Sequence, residues 1–280
     1  MYIGVIVVAV IALALVLLER EIFFYEGVHL GPRVQSWLYD RWAAQYDQDK
    51  RLSQSHDSDR LAQPLLSRLA SAGLTEALVL DVATGTGRLP YVLLQTPAFQ
   101  GRVIALDIST GMLSQAATRL AAQRDRVTLL RHGAERLPFP DAVFDAVGCL
   151  EALELMADRH EPLAELARVL RPGGVLITSR GTEASGRIGQ VHSVAAFTAE
   201  LEAAGFEQVE IQPWWRLFDL VWARKPGQLL PHREIPLAEV LCCELCRLPT
   251  LVGLPNGSLR CQRCDHVLTV NPQGIIVYPL

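Results

Sequence analysis

The alternation of short apolar runs with helical stretches between residues 77 and 223 predicts an α/β fold, a doubly wound and mostly parallel seven-stranded sheet. Five apolar runs, at 77–82, 102–106, 127–130, 144–149 and 174–178, have strand length. Helical stretches separate them, notably 111–123 and 161–170, the second closed by Pro172-Gly173-Gly174. Two late runs, 208–212 and 218–223, follow an amphipathic helix at 195–204. In open sheets of this kind a ligand sits beyond the carboxyl ends of the strands, so the residues after each strand are the ones to read for chemistry.

The elements ahead of the sheet are expected to have another role. Half of the 280 residues are hydrophobic and the formal net charge is −4, which excludes a disordered chain. The mean hydropathy of +0.21 is high for an ordinary enzyme, and its source is residues 1–18, which carry no charge before Glu19-Arg20-Glu21. As a helix, such a run spans about 27 Å. Phe23, Phe24 and Tyr25 follow where interfacial aromatics sit, and no basic segment precedes the run as in a cleaved leader. Residues 1–18 are therefore expected to be a single-pass transmembrane anchor. Arg20 and Arg33 beyond it, against no base before it, place the catalytic domain on the cytoplasmic side. Residues 19–59 form a juxtamembrane and lid segment. Within it Val34, Leu38, Trp42 and Tyr46 recur every fourth residue along a helix at 30–48, and 49–59 is a polar loop. The main domain takes 60–226, a linker 227–238 and a small module 239–280.

The first strand runs into Asp81-Val-Ala-Thr-Gly85-Thr-Gly87, where small residues let the backbone turn tightly beside a ligand. The second ends in Asp107, a carboxylate suited to a ribose diol. Together they describe a nucleoside-type cofactor. A dinucleotide fingerprint is excluded, because Pro90 stands where its third glycine belongs.

Four further segments accompany this loop: Tyr39-Asp-Arg-Trp-Ala-Ala-Gln-Tyr46-Asp47, Glu135-Arg-Leu-Pro-Phe-Pro-Asp-Ala-Val-Phe-Asp145, Ala167-Arg-Val-Leu-Arg-Pro-Gly-Gly174 and Ala204-Gly-Phe206. In this order they resemble the class I S-adenosylmethionine-dependent methyltransferases, a Rossmann-like superfamily, and within it the ubiquinone/menaquinone-type subgroup. The resemblance implies a role for each matching residue. Asp81 organises the methionine end, with Ala83, Gly85 and Gly87 letting the main chain pass beside it. Asp107 binds the ribose hydroxyls, Ile108 and Met112 pack on adenine, Ala134 offers its amide to the adenine edge, and the main chain near Cys149 accepts from the ammonium group. Two positions depart from the pattern. Ala83 replaces a glycine, tolerable if its φ is negative, and Gly133 stands where relatives often place the aspartate that reads the adenine amino group.

Methyl transfer is an in-line displacement, so the protein supplies alignment and a dry cavity, with a general base only where the acceptor must lose a proton. Glu151 and Glu154 after the fourth strand, His192 before the late helix and Tyr46 on the lid are the candidates. For Glu151 and Glu154 the alternative is a charge at a helix N-terminus, and for His192 a helix cap. Trp214 and Trp215 line an acceptor pocket or fill core. The anchor and the subgroup together point to a small or lipid-like acceptor, such as a quinone or isoprenoid. An RNA or protein acceptor and a non-catalytic scaffold are the rival readings.

Five of six cysteines fall within 242–264. Cys243-x2-Cys246 and Cys261-x2-Cys264 have the spacing of two knuckles closing a four-thiolate structural zinc site, with Cys242 left over and His266 a weaker alternative ligand. The segment also resembles the small zinc-ribbon activators that pair with RNA and protein methyltransferases. Over residues 231–280 four acids balance four bases before any thiolate is counted, which argues against nucleic acid and for packing on the catalytic domain or a protein partner.

Overall fold

A computed structural model describes residues 2–50, 56–186, 191–232 and 235–279. Helix α1 (Tyr2–Phe23) leads through a short turn into α2 (Pro32–Lys50), and α3 (Gln63–Ala70) precedes the sheet. Then follow β1 (Leu78–Val82), α4 (Arg88–Leu94), β2 (Arg102–Asp107), α5 (Thr110–Arg119), β3 (Val127–Arg131), β4 (Phe144–Cys149), α6 (His160–Val169), β5 (Leu170–Gly181), α7 (Val194–Ala203), β6 (Glu207–Trp215) and β7 (Phe218–Arg224). A single turn, α8 (Leu237–Val240), opens the cysteine module, whose strands are β8 (Leu251–Gly253), β9 (Leu259–Cys261), β10 (Val267–Val270) and β11 (Ile276–Val277).

The sheet order is β6-β7-β5-β4-β1-β2-β3-β11-β10-β9-β8. From β5 through β3 every pair is parallel, and β7 joins antiparallel between β5 and β6. Successive side chains of β1 alternate between two cores: Leu78, Leu80 and Val82 pack on one face and Val79 on the other. The seven expected strands thus form one continuous sheet with the four of the cysteine module. The seam is a parallel pairing of β11 with β3, Ile276 beside Leu130 and Val277 beside Arg131.

The expected membrane anchor is not borne out: among the described residues no helix is long and apolar enough to cross a membrane. The physical reason lies in the end of α1. Glu19, Arg20 and Glu21 belong to the same helix, so charge enters its last turns directly after Leu18. The membrane attachment, and the placement of the catalytic domain relative to a membrane, fall with it.

The 49–59 loop expectation is corrected in part. Residues 51–55 lie outside the described residues, but Asp57 opens a helical turn, Ser58–Ala62, that runs into α3. Its carboxylate is buried against Arg88, which holds it at 2.6 and 2.7 Å. A composition-based loop therefore contains a fixed side chain of the core.

Candidate functional site

Three strand ends converge. At the end of β1 the Asp81 carboxylate is buried and accepts the Thr84 hydroxyl at 2.6 Å. At the end of β2, Asp107 accepts the Ser109 amide on Oδ1 and the Gly85 amide on Oδ2, both at 2.8 Å. Those two amides fix the plane of the carboxylate. Burial pushes Asp81 up to about 7, against the opposing Thr84 hydroxyl, and Asp107 up to about 6, against the amides of Ser109 and Gly85. Both carboxylates are held in place at a cost that ligand hydroxyls or an ammonium group would offset. The loop between them corrects one expectation: Ala83 has φ +54, the left-handed conformation, so its methyl group is tolerated there under strain of about 1–2 kcal/mol.

A cleft of about 720 Å³ opens over these groups, with Ala83, Gly85, Asp107, Ile108, Met112 and Ala134 on its wall. Gly87 stands just outside, capping α4 at φ +81. Cys149 is wholly buried and its carbonyl accepts the Thr178 hydroxyl at 2.6 Å, so Leu150 and Glu151 reach the cavity in its place. Among the lining residues missed from sequence are two polar ones, His132 and Glu135. A Cβ at Gly133 would lie 2.6 Å from Glu135 Oε2. The carboxylate thus occupies the space vacated at Gly133, only two residues away, and no motif spacing signals it.

Helix α2 roofs the cleft. Ser36 donates to the Ile108 carbonyl at 2.9 Å, while Asp40 Oδ1 accepts the Ser109 hydroxyl at 2.6 Å and the Gly111 amide at 2.7 Å. A Cβ at Gly111 would lie 2.8 Å from the Asp40 Cα, so only glycine admits this approach. Further along, Thr86 donates to Asp47 at 2.5 Å. Helix α2 thus makes hydrogen bonds to both loops that follow β1 and β2.

The candidate bases separate. Tyr46 and Glu151 line the cleft. Glu151 has φ +53 and its carboxylate is held by Arg88 at 2.6 Å and by the Trp215 indole N–H at 3.1 Å. Arg88 lies over the Trp214 ring at 4.4 Å, so both tryptophans support this network. His192 turns away: its ring pairs with Glu200 of α7, its carbonyl accepts from Arg180, and Ser193 caps the helix. It lines neither the cleft nor the cavities beside it. Glu154 is buried behind the site.

In the cysteine module the Sγ atoms of Cys243, Cys246, Cys261 and Cys264 lie within 4.8 Å of one another. The Cys261 sulfur faces the Thr250 hydroxyl at 3.2 Å and the Arg263 amide at 3.3 Å, donors suited to a thiolate. The spare Cys242 ties the module to the sheet domain: its amide donates to the Pro138 carbonyl at 2.8 Å, and its carbonyl accepts the Tyr278 hydroxyl at 2.7 Å. The buried Tyr278 ring meets the His132 ring edge-on at 5.1 Å, which links the module to the cleft wall.

Residues 80–178 match the family described as methyltransferase domain. A demethylmenaquinone methyltransferase of Symbiobacterium thermophilum is 44% identical over 101 residues, covering 35% of this chain and 40% of that protein. A ubiquinone/menaquinone biosynthesis C-methyltransferase of Hahella chejuensis is 34% identical over 126 residues, 44% of this chain and 51% of its own length. The matches thus span about half or less of these curated relatives. Among solved structures, an S-adenosyl-L-methionine-dependent methyltransferase from Methanococcus maripaludis superposes with a TM-score of 0.54 at 18% identity, covering 69% of this chain and 95% of that one. A chain from the complex of the Haloferax volcanii Trm112 methyltransferase activator with a methyltransferase gives 0.50 at 24% identity, covering 68% and 98%. Both likenesses speak to the fold. Both strand-end aspartates lie within the matched stretch: residues 80–178 are similar to a methyltransferase domain and lie on a doubly wound α/β sheet.

Proposed function

We propose that the chain transfers a methyl group from S-adenosylmethionine to a small or lipid-like acceptor such as a quinone or isoprenoid. One observation carries this reading. The cleft shares Tyr39, Tyr46, Glu151 and Leu155 with a neighbouring chamber whose wall also holds Phe23, Phe24 and Phe218. A nucleoside-shaped cavity therefore opens into an aromatic one, the arrangement a flat apolar acceptor needs. The names of the curated relatives point the same way.

S-adenosylmethionine supplies an already activated methyl group, and the residues present fit it. Asp107 accepts from the ribose hydroxyls, Asp81 anchors the methionine end, and Ile108 and Met112 flank adenine. Glu135 accepts from the adenine amino group in place of a residue at 133. Helix α2, clamped through Ser36 and Asp40, excludes water. Glu151, held by Arg88 at 2.6 Å and by the Trp215 indole at 3.1 Å, serves to shape the methionine end of the cleft in this reading.

Cys243, Cys246, Cys261 and Cys264 hold a structural zinc ion in this reading. Zinc–thiolate bonds of about 2.3 Å in a tetrahedron put the sulfurs about 3.8 Å apart, and two of the Sγ pairs stand at 3.5 Å. The resulting ribbon serves its own chain, completing the sheet at the edge of β3.

Methyl-labelled S-adenosylmethionine incubated with the protein and separate lipid, RNA and protein fractions tests the reading. Label in a quinone- or isoprenoid-containing lipid is expected. Label confined to RNA or protein would overturn the acceptor, and label nowhere would favour a scaffold.

A further inference from the structure

Three cavities meet beyond the ends of β1, β2 and β4. The nucleoside-shaped cleft is one, and the aromatic chamber of Phe23, Phe24 and Phe218 is another. A third, of about 430 Å³, lies over the loop after β1, against Asp81, Thr84 and Arg88. Among the described residues only Tyr46, on α2, and Glu151, after β4, line all three. S-adenosylmethionine has the same topology, since its sulfur joins an adenosyl group, an amino-acid chain and the methyl group to be transferred. Three spaces that meet at one point thus correspond to three groups that meet at one atom.

Glu151 is built firmly into this junction. Its φ of +53 is a left-handed conformation, strained for a residue with a side chain, and its amide donates to the Ser179 hydroxyl at 2.6 Å. Its carboxylate is only 6% exposed, and Oε1 accepts both from Arg88 at 2.6 Å and from the Trp215 indole at 3.1 Å. Arg88 is shared: its Nε and Nη2 donate to Asp57 at 2.6 and 2.7 Å, while Nη1 donates to Glu151. The junction thus holds a carboxylate fixed from two sides, paired to a guanidinium that a second carboxylate also claims. A fixed negative group screened from solvent attracts a sulfonium cation and is indifferent to a neutral thioether.

We propose that Glu151 binds the sulfonium centre of the methyl donor at the junction of the three cavities, so that the site prefers the cationic donor to its neutral product. The inference rests on the methyltransferase reading above and deepens it. Transfer converts the sulfonium to a thioether, because the electron pair of the broken bond stays on sulfur. The attraction of Glu151 for the bound nucleoside therefore falls once the methyl group has gone. The gain lies in affinity and product release, since positive charge is dispersed rather than created on the way to the transition state.

Calorimetry on the full chain tests this with three nucleosides: S-adenosylmethionine, neutral-sulfur S-adenosylhomocysteine, and sinefungin, in which a carbon bearing a protonated amine replaces the sulfonium. The wild type is expected to bind both cationic nucleosides at least about tenfold more tightly than S-adenosylhomocysteine. In Glu151→Gln that preference should fall to within about threefold, with S-adenosylhomocysteine affinity unchanged within about threefold, which also reports a folded site. Glu151→Asp, which keeps the charge, should retain part of the preference. An equal loss for all three ligands in Glu151→Gln would make the residue a structural support and overturn the inference, as would a preference that survives the substitution. Loss of all binding in Glu151→Gln moves the decision to Glu151→Asp and the wild type, where equal affinities for cationic and neutral nucleosides overturn it. In each of these cases the methyltransferase reading stands. Failure of the wild type to bind any of the three would remove that reading and the inference with it.

Discussion

All four thiols of the ribbon come from residues 243–264, whereas the groups that support the cleft's aspartates are drawn from Asp40, Asp57, Arg88 and Ser109, spread across the chain. A local site is specified by spacing, since two tight turns suffice to gather its ligands. A distributed site is specified by the fold, since its ligands meet only when helices and strand ends are already in place. The ribbon should therefore fail as a unit when one ligand is lost, and the cleft should fail in graded steps.

The largest effect belongs to the ribbon. If the four thiols hold zinc as proposed, an ion that contributes on the order of 10–16 kcal/mol in isolated zinc-finger peptides is lost with its ligand, and Cys261→Ser should leave the module without a fold of its own. Amide exchange would register this as lost protection at 251–278, and also at 127–131, because β11 pairs with β3. Protection unchanged in both segments would show that the module does not depend on its metal.

Arg88→Leu comes next. It strands the buried carboxylates of Asp57 and Glu151, and unfolding in urea should show a loss of about 3–5 kcal/mol. A loss below about 1 kcal/mol would mean the triad is not a supporting element of the cleft.

A smaller, pH-dependent effect follows from Asp81. Its folded pKa of about 7 exceeds the ordinary aspartate value of 3.8, so between these limits the folded state binds more protons than the unfolded state. The group's contribution to apo-protein stability is therefore largest at low pH and falls as pH rises through about 7. The stability difference between wild type and Asp81→Asn should shift in favour of wild type on going from pH 7.5 to pH 5.5, by a few kcal/mol at most. A difference independent of pH would contradict the burial argument.

The smallest effect concerns adenine. Removing one hydrogen bond, Glu135→Ala should weaken S-adenosylmethionine binding by about tenfold. Adding Gly133→Asp should restore much of it, since the truncated side chain vacates the space. No change in either variant would separate Glu135 from cofactor recognition.

The same contrast explains what was legible beforehand. The strand runs were readable because β-strands alternate their side chains between two cores, and Asp81, Asp107, Met112 and Ala134 follow them at fixed offsets. The four cysteines were readable for the same local reason. His132, Glu135 and the Arg88 triad were not, because their meaning lies in contacts with Tyr278, Gly133 and Asp57 that no period encodes. The N-terminal run misled because Glu19, Arg20 and Glu21 were read as the stop that ends the helix, whereas they continue it.

The central claim is that the strand-end cleft binds S-adenosylmethionine through Asp107, and calorimetric titration of wild type and Asp107→Ala tests it most directly. The carboxylate makes two charge-assisted hydrogen bonds to the ribose in this account, worth about 1.5–3 kcal/mol each. Micromolar binding in the wild type, weakened by about 100-fold or more in Asp107→Ala, is the result expected. Equal affinity in the two proteins, or no binding in either, would contradict it.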